Sequence, residues 1–130
     1  MKDLDFIKKF ESCQLSAEEF THKNHVRMAF IYLRSNNFPE ALILIRNGIK
    51  KFAGHHQVDG LYNETITFWY STLVNDRLAK SGEVSWKQFK KQNGDLFVKT
   101  FDFLKLFYKI ETIQSLEAKK KFLLPDFYPL

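Results

Sequence analysis

Apolar residues recur at helical spacing from one end of the chain to the other, and strict alternation of apolar and polar positions never persists long enough to make a strand. The pattern predicts an all-α, single-domain fold over residues 1–130, a bundle of about six to seven helices. Leu4, Phe6, Ile7 and Phe10 mark a first helix that stops near Cys13. Ser16-Ala17-Glu18-Glu19 has the S-x-x-E form, in which a hydroxyl and a carboxylate each satisfy a free backbone N–H, so a short helical turn is expected there. Thr21 then caps a longer helix to about Asn36, with His22, His25, Val26, Ala29, Phe30 and Leu33 on its core-facing stripe.

Pro39 suits the first turn of the next helix, because the N–H it lacks would have no partner there anyway. This helix spans about 39–53, buries Leu42, Ile45, Ile49 and Phe52, and meets Gly54 where a left-handed residue commonly ends a helix. Gly54 to Gly60 reads as a loop. Tyr62 to Ala79 follows as the most aromatic helix, with Tyr62, Thr65, Ile66, Trp69 and Leu73 on one face, Trp69 as buried core and Gly82 as the stop. Ser85-Trp86-Lys87-Gln88 is a second capping box, opening a short helix that turns Trp86 and Phe89 inward and ends near Asn93-Gly94. Asp95 caps a further helix that carries Phe97, Phe101, Leu104 and Tyr108 to about Ile110, and Ser115 opens a last short helix to Phe122. Pro125 restricts the residue before it to extended geometry, so Leu123 to Leu130 is expected as an irregular arm over the bundle.

Composition narrows the function classes more than it names one. With 14 Phe, 5 Tyr and 2 Trp in a chain that is 45% apolar, there is material for one compact core. Lys and Arg number 20 against 15 Asp and Glu, a net charge of +5, and the excess is spread along the chain; the longest basic run is Lys119-Lys120-Lys121. A nucleic-acid binder gathers its cations into a stripe or tail, so nucleic acid is not the expected partner. The single Cys13 allows neither an internal disulfide nor a multi-cysteine zinc site, which fits a reducing compartment. Charges at positions 2, 3, 5, 8 and 9 interrupt any secretory apolar region, and no apolar stretch approaches the ~20 residues that cross a bilayer. A cytoplasmic protein with no membrane partner is expected. Neither G-x-G-x-x-G nor G-x-x-x-x-G-K-[ST] occurs, so those routes to nucleotides are closed.

The informative polar residues fall in Phe20-Thr21-His22-Lys23-Asn24-His25-Val26-Arg27 and in Tyr62-Asn63-Glu64-Thr65-Ile66-Thr67. Histidines three apart on a helix are neighbours, close enough to share a divalent metal or a small-molecule ligand. Glu64 or Glu19 would complete a two-His, one-carboxylate set with His22 and His25, leaving coordination positions open. The competing expectation is two histidines bonded to backbone carbonyls at the edge of a core. The H-x-x-H spacing is not the H-E-x-x-H of zincins, and Glu19-x-x-His22 is a lone E-x-x-H motif where di-iron bundles need two. Tyr62 is expected to point inward beside the imidazoles, so that His22, His25, Tyr62 and Glu64 would form a polar pocket suited to general acid-base chemistry. Glu64 also has a bland role, complementing the helix dipole. His55 and His56 could add one more ligand from their loop. Cys13 carries no cue for a reactive thiol. The rival class is an interaction module or homo-oligomer whose histidines are structural.

Phe20-Thr21-His22-x-x-His25-Val26-Arg27-x-Ala29-x-x-Tyr32-Leu33 resembles the opening motif of a family of small uncharacterised bacterial proteins. Tyr62-x-Glu64-Thr65-x-Thr67 is similar to that family's middle motif, in which His commonly stands where this chain has Asn63, and Ala118-Lys119-x-x-Phe122-x-x-Pro125-Asp126-x-x-Pro129-Leu130 is similar to its ending. The resemblance covers nearly the whole chain. It implies a bacterial cytoplasmic protein and points to His22, His25, Tyr62 and Glu64, without implying a reaction.

Overall fold

A computed structural model describes residues Met1 to Phe127; Tyr128, Pro129 and Leu130, the end of the expected arm and of the third motif block, lie outside the described residues. Among the described residues there is no strand, and eight α-helices follow one another: α1 (Asp3–Glu11), α2 (His22–Ser35), α3 (Phe38–His55), α4 (Glu64–Ser81), α5 (Trp86–Gln92), α6 (Thr100–Leu104), α7 (Ile110–Ile113) and α8 (Leu116–Lys120). Short 3-10 turns at Asp59–Leu61 and Gly94–Phe97 join them. The all-α expectation holds.

α2 is the central element. Val26, Ala29, Phe30 and Leu33 are buried as the sequence predicts, but so are Met28, Ile31 and Tyr32, because α1, α3 and α4 all pack against this helix. α1 is tied to it by polar contacts. Arg27 donates to Asp3 (2.8 Å) and to the Met1 carbonyl (2.6 Å), while the Tyr32 hydroxyl donates to Glu11 (2.7 Å). Gly48 brings α3 against α1: a Cβ there would lie 2.7 Å from the Phe10 ring. Phe10 in turn stacks among Phe20 (5.0 Å between ring centres) and Phe52 (5.8 Å).

The Ser16 box holds as expected, closing a single turn reciprocally, Ser16 N–H to Glu19 Oε1 at 2.8 Å and Glu19 N–H to Ser16 Oγ at 3.1 Å. Several local expectations are revised. α3 runs through Gly54 to His55, and Gln57 takes the left-handed conformation (φ 60°) expected of Gly54. Tyr62 stands outside α4, whose cap is Asn63, its side chain accepting from Ile66 N–H. Trp69 is only partly buried, packed on Phe107 and Tyr108, because α4 buries Thr65, Tyr70, Ser71 and Val74 instead.

The helix expected from Asp95 to Ile110 is broken into a 3-10 turn, α6 and the start of α7. Its Phe, Val and Tyr residues have modest helix propensity, and a tertiary competitor wins. Asp126 reaches back from the C-terminal arm to accept the Lys109 N–H (2.8 Å) and the Thr112 hydroxyl (3.1 Å), capping α7 from outside. The arm itself is irregular from Lys121 through Phe127, as expected. Thr65, fully buried in α4, anchors it by donating toward the carbonyls of Ala118 and Lys121 (2.9 Å each) and accepting from Leu123 N–H (3.1 Å).

Candidate functional site

His22 and His25 occupy the first turn of α2, and both line a partly open cavity of about 190 Å³ bounded by α2, α3, α4 and Thr100 of α6. Its walls are Val26, Met28, Ala29, Ile45, Ile49 and Ile66, interrupted by Thr67, Tyr70 and Ser71. Two further cavities, of about 220 and 120 Å³, lie under the segment between α3 and α4 and include Leu61 and Tyr62. All three share His25 and Ile49 in their linings.

Each imidazole is held differently. The Thr21 hydroxyl does not cap α2, and the His22 side chain folds toward the Gly94–Phe97 turn, where its Nε2–H donates to the Leu96 carbonyl (2.8 Å). Because a carbonyl only accepts, this bond fixes the tautomer and leaves Nδ1 as a lone-pair acceptor. His22 also meets the Tyr70 ring edge-on at 4.9 Å. His25 stacks on Phe20 at 3.8 Å between ring centres. Burial pushes His25 down to about 4, helped by the neighbouring His22 and opposed by a hydrogen bond to the Phe20 backbone. Burial also lowers His22, opposed by the Leu96 carbonyl. Both rings are therefore neutral at neutral pH.

The two acid-base partners expected beside them are placed elsewhere. Glu64 is buried, but its Oε2 accepts from Arg46 Nε (2.7 Å) and Nη2, and its Oε1 accepts from the Tyr62 hydroxyl (2.6 Å). Burial first, and then the Glu64 carboxylate, raises the Tyr62 phenol well above its ordinary value. Tyr62 lines the two further cavities with His25, whereas Glu64 lines none of the three. The expected metal set of His22, His25 and Glu64 is not assembled: among the described residues no group of three His, Cys, Asp or Glu is placed to hold a metal ion. Its physical reason is the ion pair, which satisfies the Glu64 carboxylate on the α3 side of α4. Glu19, the alternative carboxylate, is exposed and bonded to Ser16.

His55 is exposed at the end of α3, and His56 Nε2 bonds the Leu15 carbonyl (3.0 Å), so neither adds a ligand. Cys13 is a buried free thiol at the left-handed end of α1. Three polar residues of the cavity were not singled out from the sequence: Tyr70, Ser71 and Thr100. Thr67 and Ser71 stand four apart on α4, and the hydroxyl of each bonds the carbonyl four residues earlier, a habit of polar residues on buried helix faces. That spacing was the available signal.

Compared with protein-family models, with curated proteins and with solved structures, the chain matches none. No described helix is long and apolar enough to cross a membrane.

Proposed function

We propose that this protein binds a compact, uncharged organic molecule in the α2–α3–α4 cavity, with His25 as its main polar anchor. The observation that carries the proposal is the position of His25: a neutral imidazole in the lining of three neighbouring cavities, held by stacking on Phe20. An apolar cavity of ~150 Å³ accepts a benzene-sized molecule, so about 190 Å³ accommodates one ring with a small substituent. A neutral imidazole presents one donor and one acceptor, which orients such a molecule without the cost of burying a charge. Proton transfer at His25 is compatible with this site, and Glu64 serves as scaffold.

The test uses toluene and phenol as probes. Either should raise the melting temperature of the wild-type chain, and neither should raise that of Ala29→Leu, whose added carbons fill the cavity from α2. If neither probe shifts the wild-type midpoint at millimolar concentration, or if Ala29→Leu responds as the wild type does, the proposal fails.

A second reading is favoured by the exposed Val98, Phe101, Leu106 and Ile110, together with Leu124 and Phe127 of the arm. These would suit self-association, and sedimentation of the full chain at rising concentration tests it.

A further inference from the structure

Most hydrogens of the cavity's polar groups are already committed, and this biases what the cavity can recognise. Six polar side chains line it: His22, His25, Thr67, Tyr70, Ser71 and Thr100. The Thr67 hydroxyl donates to the Asn63 carbonyl (2.9 Å), and Ser71 donates to the Thr67 carbonyl (2.7 Å). Tyr70 donates to the Thr100 carbonyl over a longer 3.4 Å. His22 spends its Nε2–H on Leu96. Every one of these four partners is a main-chain oxygen that can only accept, so His22, Thr67, Tyr70 and Ser71 have given away their protons and kept their lone pairs. Thr100 is the one lining hydroxyl without such a bond among the described residues.

The cavity is thus rich in acceptors and poor in donors, with no charged side chain in its lining. An anion would enter an apolar wall with almost nothing to donate to it, and a cation would find lone pairs but no compensating carboxylate. A neutral ligand bearing only acceptors would find few protons to accept, those of Thr100 and His25, against a larger number of lone pairs. Building on the small-molecule reading above, we infer that the occupant is an uncharged apolar molecule bearing a hydroxyl, a compact alcohol or phenol, whose O–H donates to the lone pairs that line this cavity. The hydroxyl would then be the group presented to His25, the only imidazole shared by all three cavities.

The experiment is isothermal titration of the full chain at neutral pH with four single-ring probes: phenol as donor, toluene as apolar control, anisole as acceptor only and benzoate as anion. Phenol should bind best, by about fivefold over toluene, the ratio expected for one net neutral hydrogen bond. Anisole should be weaker than phenol by at least that ratio, and benzoate should not bind. On the same samples, histidine side-chain nitrogen resonances should move with phenol and stay in place with toluene. Anisole or toluene binding as tightly as phenol, or benzoate binding tightest, overturns the donor assignment while leaving small-molecule binding intact. If none of the four binds, the underlying reading fails and this inference falls with it.

Discussion

Acidification should weaken the fold well before its carboxylates titrate, because His25 is held neutral in the folded chain. Its folded value is about 4, against ~6.5 for a histidine in an unfolded chain. Below ~6.5 the unfolded chain takes up a proton that the folded chain refuses, so the stability this residue contributes is complete above that value and is lost as the pH falls toward about 4. The full difference amounts to ~3 kcal/mol, and about 2 kcal/mol of it should disappear between roughly pH 7 and pH 5. His22, lowered in the same direction, adds to the slope. Urea unfolding monitored by Trp fluorescence at a series of pH values measures the loss. The control is His25→Phe, which keeps a ring on Phe20 and removes the titrating group, so its profile over the same range should be much flatter. A wild-type stability that stays level between about pH 7 and pH 5 would refute the claim that this imidazole is desolvated and neutral. So would an unchanged slope in His25→Phe.

Two further outcomes follow from the packing. Gly48→Ala and Gly54→Ala should have opposite signs although both lie in α3: at Gly48 the new methyl meets the Phe10 ring, itself 1% exposed and packed against Phe20 and Phe52, whereas at Gly54 nothing lies within 4 Å. Overpacking should cost Gly48→Ala ~1 to 2 kcal/mol net of its helix-propensity gain, and Gly54→Ala should gain up to ~1 kcal/mol, both read from denaturation midpoints; equal signs would refute the packing account. Glu64→Gln should lower stability by ~1 to 2 kcal/mol, since Arg46 loses the opposite charge but keeps an acceptor and some solvent, while phenol affinity stays at the wild-type level. Loss of binding without loss of stability would return Glu64 to the site.

The helical class, the long helices α2, α3 and α4, the cap at Ser85 and the irregular arm were legible along the chain, because each rests on interactions within a few residues: apolar spacing, a hydroxyl and an amide three positions apart, a proline ring. The Ser85 box closes in both directions, as its spacing implies. His22 and His25 were legible as a pair for the same reason, since three residues on a helix fix their neighbourhood. What they are for was not. Glu64 looked like a third member of that group in sequence, but an arginine eighteen positions earlier claims it. That choice depends on how α3 packs on α4, which no local pattern encodes. The break between α6 and α7 was hidden likewise, since it answers to Asp126 from the far end of the chain. Local hydrogen bonds and apolar periodicity decide whether a segment is a helix. Which carboxylate meets which cation, and which protons remain free inside a cavity, is decided only when distant segments are brought together and water is removed from between them.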